Sequence, residues 1–284
     1  MISYTEKLPS PALQKDVECF WFASGAGNLP ASAPERILPD GCLELIFHLG
    51  SQFQRWSAVV GWQDQPRSFV VGELTKFLLV RPSGHASIMG VRFRPRGAYR
   101  FLRFSLDEFT DQNIPLNDLW GLAGKHLEER VNETLDDDER QKLVEEFLLL
   151  ELSKSISRPR FQAAVEDIIH SRGLTRVGEV AAKIGMSPRQ LEREFRVGIG
   201  LSPKAFARII RFQNLMRLVG EQPLREWTRL ALDGGYADQP HMVREFREFT
   251  GQSPTEHNIT LIGDLAARFI SPRRLAALLG MALP

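Results

Sequence analysis

One residue pattern occurs twice in the last third of this chain, and it fixes most of what that third can become. Ala181 and Gly185 are followed by Leu191, Arg193, Phe195, Arg196, Gly200, Ser202 and Pro203. Ala231 and Gly235 are followed by Met242, Arg244, Phe246, Arg247, Gly251, Ser253 and Pro254. From the Leu191/Met242 anchor onward the offset is a constant 51 residues, while upstream it is 50. The second copy therefore carries one extra residue in its turn, which the pattern puts near Asp238 to Pro240. Within each copy a small Ala lets two helices approach. The Gly after it supplies a left-handed turn that glycine alone adopts cheaply. The apolar residue further on plugs the angle between the helices. That is the chemistry of a helix-turn-helix.

The second helix of each copy turns polar residues outward. The first copy presents Arg189, Gln190, Glu192, Arg193 and Arg196, and the second presents Asp238, Gln239, His241, Val243, Arg244 and Arg247. Such a face fits the major groove, where Arg reads guanine and Gln or Asn reads adenine. A helical bundle with a solvated basic face is the plainer alternative. Two copies with the same Arg-x-Phe-Arg spacing weigh against it. Phe195 and Phe246 are expected in the core, and the arginines before them on the working surface.

Charge is distributed to match. Residues 1–158 carry 18 Lys and Arg against 22 Asp and Glu, and residues 159–284 carry 18 against 13. All but two of the basic residues between Arg160 and Arg247 are arginine, the better fork for phosphate and guanine. This points to a DNA-facing half and a more acidic sensing half. At 284 residues, 43% apolar and 25% charged, the chain has the length and composition of two folded domains. No apolar run approaches the ~18 residues of a membrane span, and the first residues lack an apolar signal core, so a cytoplasmic protein with no membrane partner is expected. Cys19 and Cys42 sit in apolar contexts without metal-ligand spacing and read as free, packed thiols.

The expected fold class is α+β. The N-terminal domain, residues 1–152, reads as a mainly-β sandwich or barrel with trailing helices. Leu43, Leu45 and Phe47 alternate with Glu44, Ile46 and His48, and short apolar runs around Phe69, Leu78 and Ile88 are bounded by Gly and Pro turns. From Tyr99 the period turns helical, with further helices over 116–127 and 139–152. Residues 153–159 form a linker. Residues 160–257 form an all-α domain of two helix-turn-helix subdomains joined by a linker helix that Ser202-Pro203 opens. Residues 258–284 are a C-terminal extension.

These motifs resemble the AraC/XylS family of transcription activators. The resemblance rests on Gly-Met-Ser-Pro-Arg-Gln-Leu-Glu-Arg-Glu-Phe-Arg (185–196), Gly-Leu-Ser-Pro (200–203), Gly-Tyr-Ala-Asp-Gln-Pro-His-Met-Val-Arg-Glu-Phe-Arg (235–247) and Gly-Gln-Ser-Pro (251–254). It implies a seven-helix module whose two recognition helices enter successive major grooves on one DNA face. It implies base contacts from Arg189, Glu192, Arg193, Gln239 and Arg244, and backbone contacts from Arg196, Arg247, Ser202 and Lys204. Pro240 stands where the family usually has Ser, and the tail runs past the family's usual end. The N-terminal part is similar to the sensor-like domain found before such modules, through residues 35–47, Arg81-Pro82-Ser83-Gly84 and residues 90–95. The partners implied are double-stranded DNA, a small-molecule effector, RNA polymerase for an activator, and a second copy of the chain.

Three other readings compete for the N-terminal domain. A cupin-like metal enzyme or sensor would use Glu44, His48 and His85, but no His-x-His pair is present and no metal is expected. A methyl-accepting cysteine would use Cys19 or Cys42, which lack the setting that lowers a thiol pKa. A helper domain without any ligand is a third. No nucleotide-binding, hydrolase or zinc-protease motif occurs, so the expectation is a non-enzyme without cofactor. Trp62, Arg81, His85 and Arg92 could line an effector cavity, but ordinary packing of Trp62 and pairing of the arginines with Glu44 or Glu73 explain them as well, so no effector residues are assigned.

Overall fold

The structure, a computed structural model, describes residues 2–25, 34–221 and 226–254. The C-terminal extension lies outside these residues. Among the described residues, ten strands build the N-terminal domain: β1 (Ile2–Lys7), β2 (Val17–Gly25), β3 (Glu35–Ile37), β4 (Glu44–His48), β5 (Phe53–Ser57), β6 (Gly61–Asp64), β7 (Ser68–Val71), β8 (Leu78–Pro82), β9 (Ser87–Phe93) and β10 (Asn113–Pro115). They form an antiparallel six-stranded sheet in the order β1-β2-β9-β4-β7-β10 and a four-stranded sheet in the order β3-β8-β5-β6. Helices α1 (Leu116–Glu133) and α2 (Asp137–Ser153) follow. Asp136 caps α2, its side chain accepting the Asp138 and Glu139 amides, and the acidic run after it suits the positive end of the helix.

The period-2 pattern of β4 sorts side chains to two faces, but both faces are covered. Leu45 and Phe47 join Leu127, Val131, Val144 and Leu148 in a core between the six-stranded sheet and the two helices. Ile46 instead packs with Trp21, Phe53, Phe69, Val80 and Ile88 between the two sheets. Even His48 is buried, with no more than 1% of its surface exposed. Gly90 of β9 is required here: a Cβ would lie 2.0 Å from the Trp21 ring, which crosses the strand at that point. The helical period expected from Tyr99 is realised only as two 3-10 turns, Ala98–Arg100 and Leu106–Phe109, which bury Phe101, Leu102 and Leu106.

The C-terminal domain comprises α3 (Pro159–His170), α4 (Val177–Lys183), α5 (Pro188–Ile199), α6 (Pro203–Glu221), α7 (Trp227–Asp233) and α8 (Gln239–Thr250). Helix α6 is the spine. Phe206 near its start packs on Phe195 of α5 at 5.8 Å between ring centres, and Phe212 packs on Phe246 and Phe249 of α8 at 5.8 and 5.0 Å. Both helix-turn-helix units thus share one continuous core. Among the described residues, no helix is long and apolar enough to cross a membrane.

The two domains are in contact along several elements. Tyr99 packs edge-on against Phe161 of α3 at 5.3 Å, and Arg96 pairs with Glu166. Thr110 donates to the Gly200 carbonyl at 2.7 Å, and Gln213 of α6 donates to the Pro39 carbonyl at 2.6 Å. Leu38 packs into the C-terminal core.

Candidate nucleic-acid interface

The first unit runs from α4 through a turn at Gly185, in the left-handed region at φ +67°, to α5. Ser187 and Gln190 form a reciprocal capping box at the start of α5, and Pro188 occupies its first turn. Gly200 ends the helix at φ +95°. Leu191 and Phe195 are fully buried, as their spacing from Ala181 predicts. Arg189, Arg193 and Arg196 are exposed, and with Ser187, Gln190 and Glu192 they line one surface concavity. Arg196 lies 3.7 Å from Glu192, and Arg193 lies 3.8 Å from Glu194. Pairs this exposed contribute little to stability, so the guanidinium groups can be given up to another anion at small cost. Gln190 is committed to the cap: its Oε1 accepts the Ser187 amide at 2.9 Å.

The second unit repeats this plan with one difference. Gly235 turns at φ +80°, but Tyr236 and Ala237 then stand between it and the N-cap Asp238, where Met186 alone fills that place in the first unit. The additional residue thus lies just before Asp238, one position upstream of the span that the repeat suggests. Asp238 accepts the His241 amide at 2.7 Å. Gln239 is half-buried, its Oε1 taken by the Thr228 hydroxyl of α7 at 2.7 Å. Arg244 and Arg247 are exposed. Arg244 lines a groove with Arg176, Lys204, Arg208, Arg211 and His241. Lys204 is exposed, whereas Ser202 is half-buried and its Oγ accepts the Ala205 amide at 3.0 Å, which makes it the cap of α6.

Sequence reasoning passed over Arg176, Arg208 and Arg211. Two of these hold the units together. Glu245, 4% exposed, accepts from Arg208 Nε at 2.8 Å and from Arg211 Nη2 at 2.9 Å, which ties α8 to α6. Its counterpart 51 residues earlier, Glu194, lies 3.7 Å from Arg158. A signal was present, since Glu occupies the same place in both copies of Arg-Glu-Phe-Arg.

The four N-terminal residues considered for a cavity do not form one site: Arg92 lines the cavity between the sheets, whereas Trp62, Arg81 and His85 do not. Arg81 stacks over Trp62 at 4.3 Å and donates to Gln54, and His85 is exposed. Arg92 is buried and pairs with Glu44 at 2.6 Å. Glu44 and His48 line a cavity between the sheets; His85 does not. Among the described residues, no three His, Cys, Asp or Glu side chains come together in a way that could hold a metal ion. Cys19 and Cys42 are buried and form no disulfide, and burial pushes the Cys19 thiol well above its ordinary pKa, the opposite of an activated nucleophile.

Residues 180–258 match a helix-turn-helix domain family, and residues 5–115 match a domain of unknown function (DUF6597). No curated protein matches the chain. Among solved structures it is similar to ToxT from Vibrio cholerae. One ToxT structure is 11% identical over 83% of this chain and 97% of ToxT, with a TM-score of 0.45. Another is 12% identical over 86% and 99%, with a TM-score of 0.47. A third, bound to (E)-4-(8-methylnaphthalen-1-yl)but-3-enoic acid, is 11% identical over 85% and 99%, also at 0.47.

Proposed function

We propose that this chain, in which a match to a helix-turn-helix domain follows a match to DUF6597, is an AraC-type transcription regulator, not an enzyme, that reads two successive major-groove segments. The observation that carries this is the pair of capped helices, α5 and α8, each bearing exposed arginines and both fixed to the single helix α6. In this reading Arg189, Glu192, Arg193, Gln239 and Arg244 contact bases. Arg196, Arg247 and Lys204 hold phosphates, and Ser202 does so through its hydroxyl proton while its oxygen caps α6. Base contacts specify and phosphate contacts position. The protein would work in the cytoplasm, with RNA polymerase as its partner if it activates. A homodimer would double the number of segments read.

At 19 residues, α6 is about 28 Å long at ~1.5 Å per residue. Recognition helices held toward its two ends can therefore fall about one DNA turn, ~34 Å, apart. The test is selection of bound sites from random duplexes followed by footprinting with the full chain. One protein should protect two major-groove segments about one turn apart on one face. Protection of one segment per protein would mean that only one unit reads DNA. Absence of sequence preference at low salt would remove the reading altogether.

A further inference from the structure

The two sheets of the N-terminal domain enclose a cavity with apolar and aromatic walls, among them Trp21, Phe53, Phe69 and Val80. Its charged and titratable lining is Asp40, Cys42, Glu44, His48 and Arg92. Glu44 and His48 are same-face residues of β4, and Arg92 is the cross-strand partner of Glu44. Arg92 lies 2.6 Å from Glu44 and 3.7 Å from Asp40. Burial works against its charge, yet these carboxylates hold the guanidinium well above its ordinary pKa. Among the described lining residues Arg92 is the one cation, and two carboxyl groups already engage it, Glu44 at 2.6 Å and Asp40 at 3.7 Å, with burial raising the pKa of Glu44.

His48 adds an acceptor. Its Nδ1 lies 3.0 Å from the Pro66 carbonyl, which can only accept, so Nδ1 bears the proton and Nε2 keeps a lone pair. Burial lowers its pKa to about 4, so the ring is neutral near pH 7. A carboxylate ligand would find the Arg92 guanidinium already engaged and would face the same two carboxyl groups. A protonated amine on an apolar body supplies N–H donors and positive charge, and its apolar part suits aromatic walls.

One wall of the cavity is also a wall of the domain interface. Ile37, Leu38, Asp40 and Cys42 line the cavity. In the same segment Leu38 packs against the C-terminal core, and the Pro39 carbonyl accepts from Gln213 of α6. Gly41 lies so close to α6 that a Cβ would sit 3.1 Å from the Phe206 ring. Asp40 Oδ1 accepts the Cys42 amide at 3.0 Å, which couples the carboxylate to the backbone turn.

We propose that this cavity binds a small apolar amine, with Asp40 and Glu44 as its counter-ions, and that segment 37–42 transmits occupancy to α6. The transmission rests on the DNA-binding reading; the amine site does not. Calorimetry on the full chain without DNA, using phenethylamine, hexylamine and 4-phenylbutylamine against 3-phenylpropionate, heptanoate and 5-phenylpentanoate, separates the two. At least one amine should bind about tenfold more tightly than its matched acid. Asp40→Asn keeps the acceptor for the Cys42 amide, so it should retain the Tm while weakening the amine about fivefold or more. No amine binding up to about 10 mM, acids binding as well as amines, or an unaffected Asp40→Asn variant would overturn the site. In the second arm, the bound amine should shift affinity for a selected DNA site about fivefold, and Gln213→Ala should abolish that shift while binding the amine normally. An unchanged DNA affinity, or a full shift in Gln213→Ala, overturns the transmission. Lack of any DNA binding overturns the regulator reading and leaves the amine site standing.

Discussion

Arg193 and Arg196 lie on the same helix, and the proposed reading gives them different work. Arg193 is on the outward face beside Arg189, while Arg196 sits one turn further on, beside the buried Phe195. Arg193→Ala should cost about 1–3 kcal/mol on the specific site and relax the preference at a few base pairs. Arg196→Ala should weaken all sequences alike and reduce the salt slope by about 1. Arg244 and Arg247 should behave as the corresponding pair. The second unit offers less, since Pro240 stands in register with Arg189 and the Gln239 carbonyl is held by Thr228. Arg193→Ala is therefore expected to hurt more than Arg244→Ala. Binding of each variant to a randomised library at two salt concentrations checks this, and an Arg193→Ala protein with intact base preference contradicts it. A second residue effect is a pH dependence. His48 is neutral in the fold with a pKa of about 4 and titrates near 6.5 when unfolded. Between these values the unfolded chain binds more protons, so stability is complete above pH 6.5 and falls as pH drops toward 4, by about 3 kcal/mol. Urea unfolding of wild type against His48→Gln over this range should show a shallower slope in the variant, and parallel curves would refute the assignment.

At the scale of the element, the ends of α5 and α8 are equivalent glycines with different neighbours. Both are left-handed, so an added Cβ strains either by about 1–2 kcal/mol. At Gly200 the Cβ would also lie 2.7 Å from the Leu106 backbone oxygen, whereas at Gly251 it meets the Phe77 side chain. A backbone cannot step aside as a ring can. Gly200→Ala should therefore destabilise the protein by about 2–4 kcal/mol and Gly251→Ala by about 1–2 kcal/mol in urea unfolding; equal losses would show that the domain contact at Gly200 is slack. These glycines also mark what was legible in the sequence. The turns at Gly185 and Gly235, the Ser187 cap and the plugs Leu191 and Met242 are local chemistry, so spacing alone reveals them. Central strands β4, β7 and β9 were readable for the same reason. Strand β2 was not read as a strand, strand β6 (Gly-Trp-Gln-Asp) buries no residue fully and offers no apolar run, and strands β3 and β10 are only three residues long. The Glu245 clamp and the approach of Gly41 to Phe206 join residues far apart in the chain, and no local pattern announces them.

At the scale of the whole molecule, α3 to α8 own a core of their own, while Leu38 and Tyr99 of the N-terminal domain cover its edge. A fragment of residues 159–284 should accordingly fold and bind DNA at low salt, with a Tm below that of the full chain. A soluble helical fragment that binds no DNA would contradict the division of labour between the domains. The sharing of one core by both units has a consequence for descent. A tandem of independent repeats can be respaced by lengthening a linker, because each repeat keeps its own interior. Here Phe206 and Phe212 anchor the two units six residues apart on one rigid helix, and an insertion between them would turn one unit out of the shared interior. If the exposed arginines read bases as proposed, selection can therefore revise which bases they and their neighbours read, one side chain at a time. On that reading the distance between the two stretches of DNA is the inherited constant, and operators must evolve to fit it.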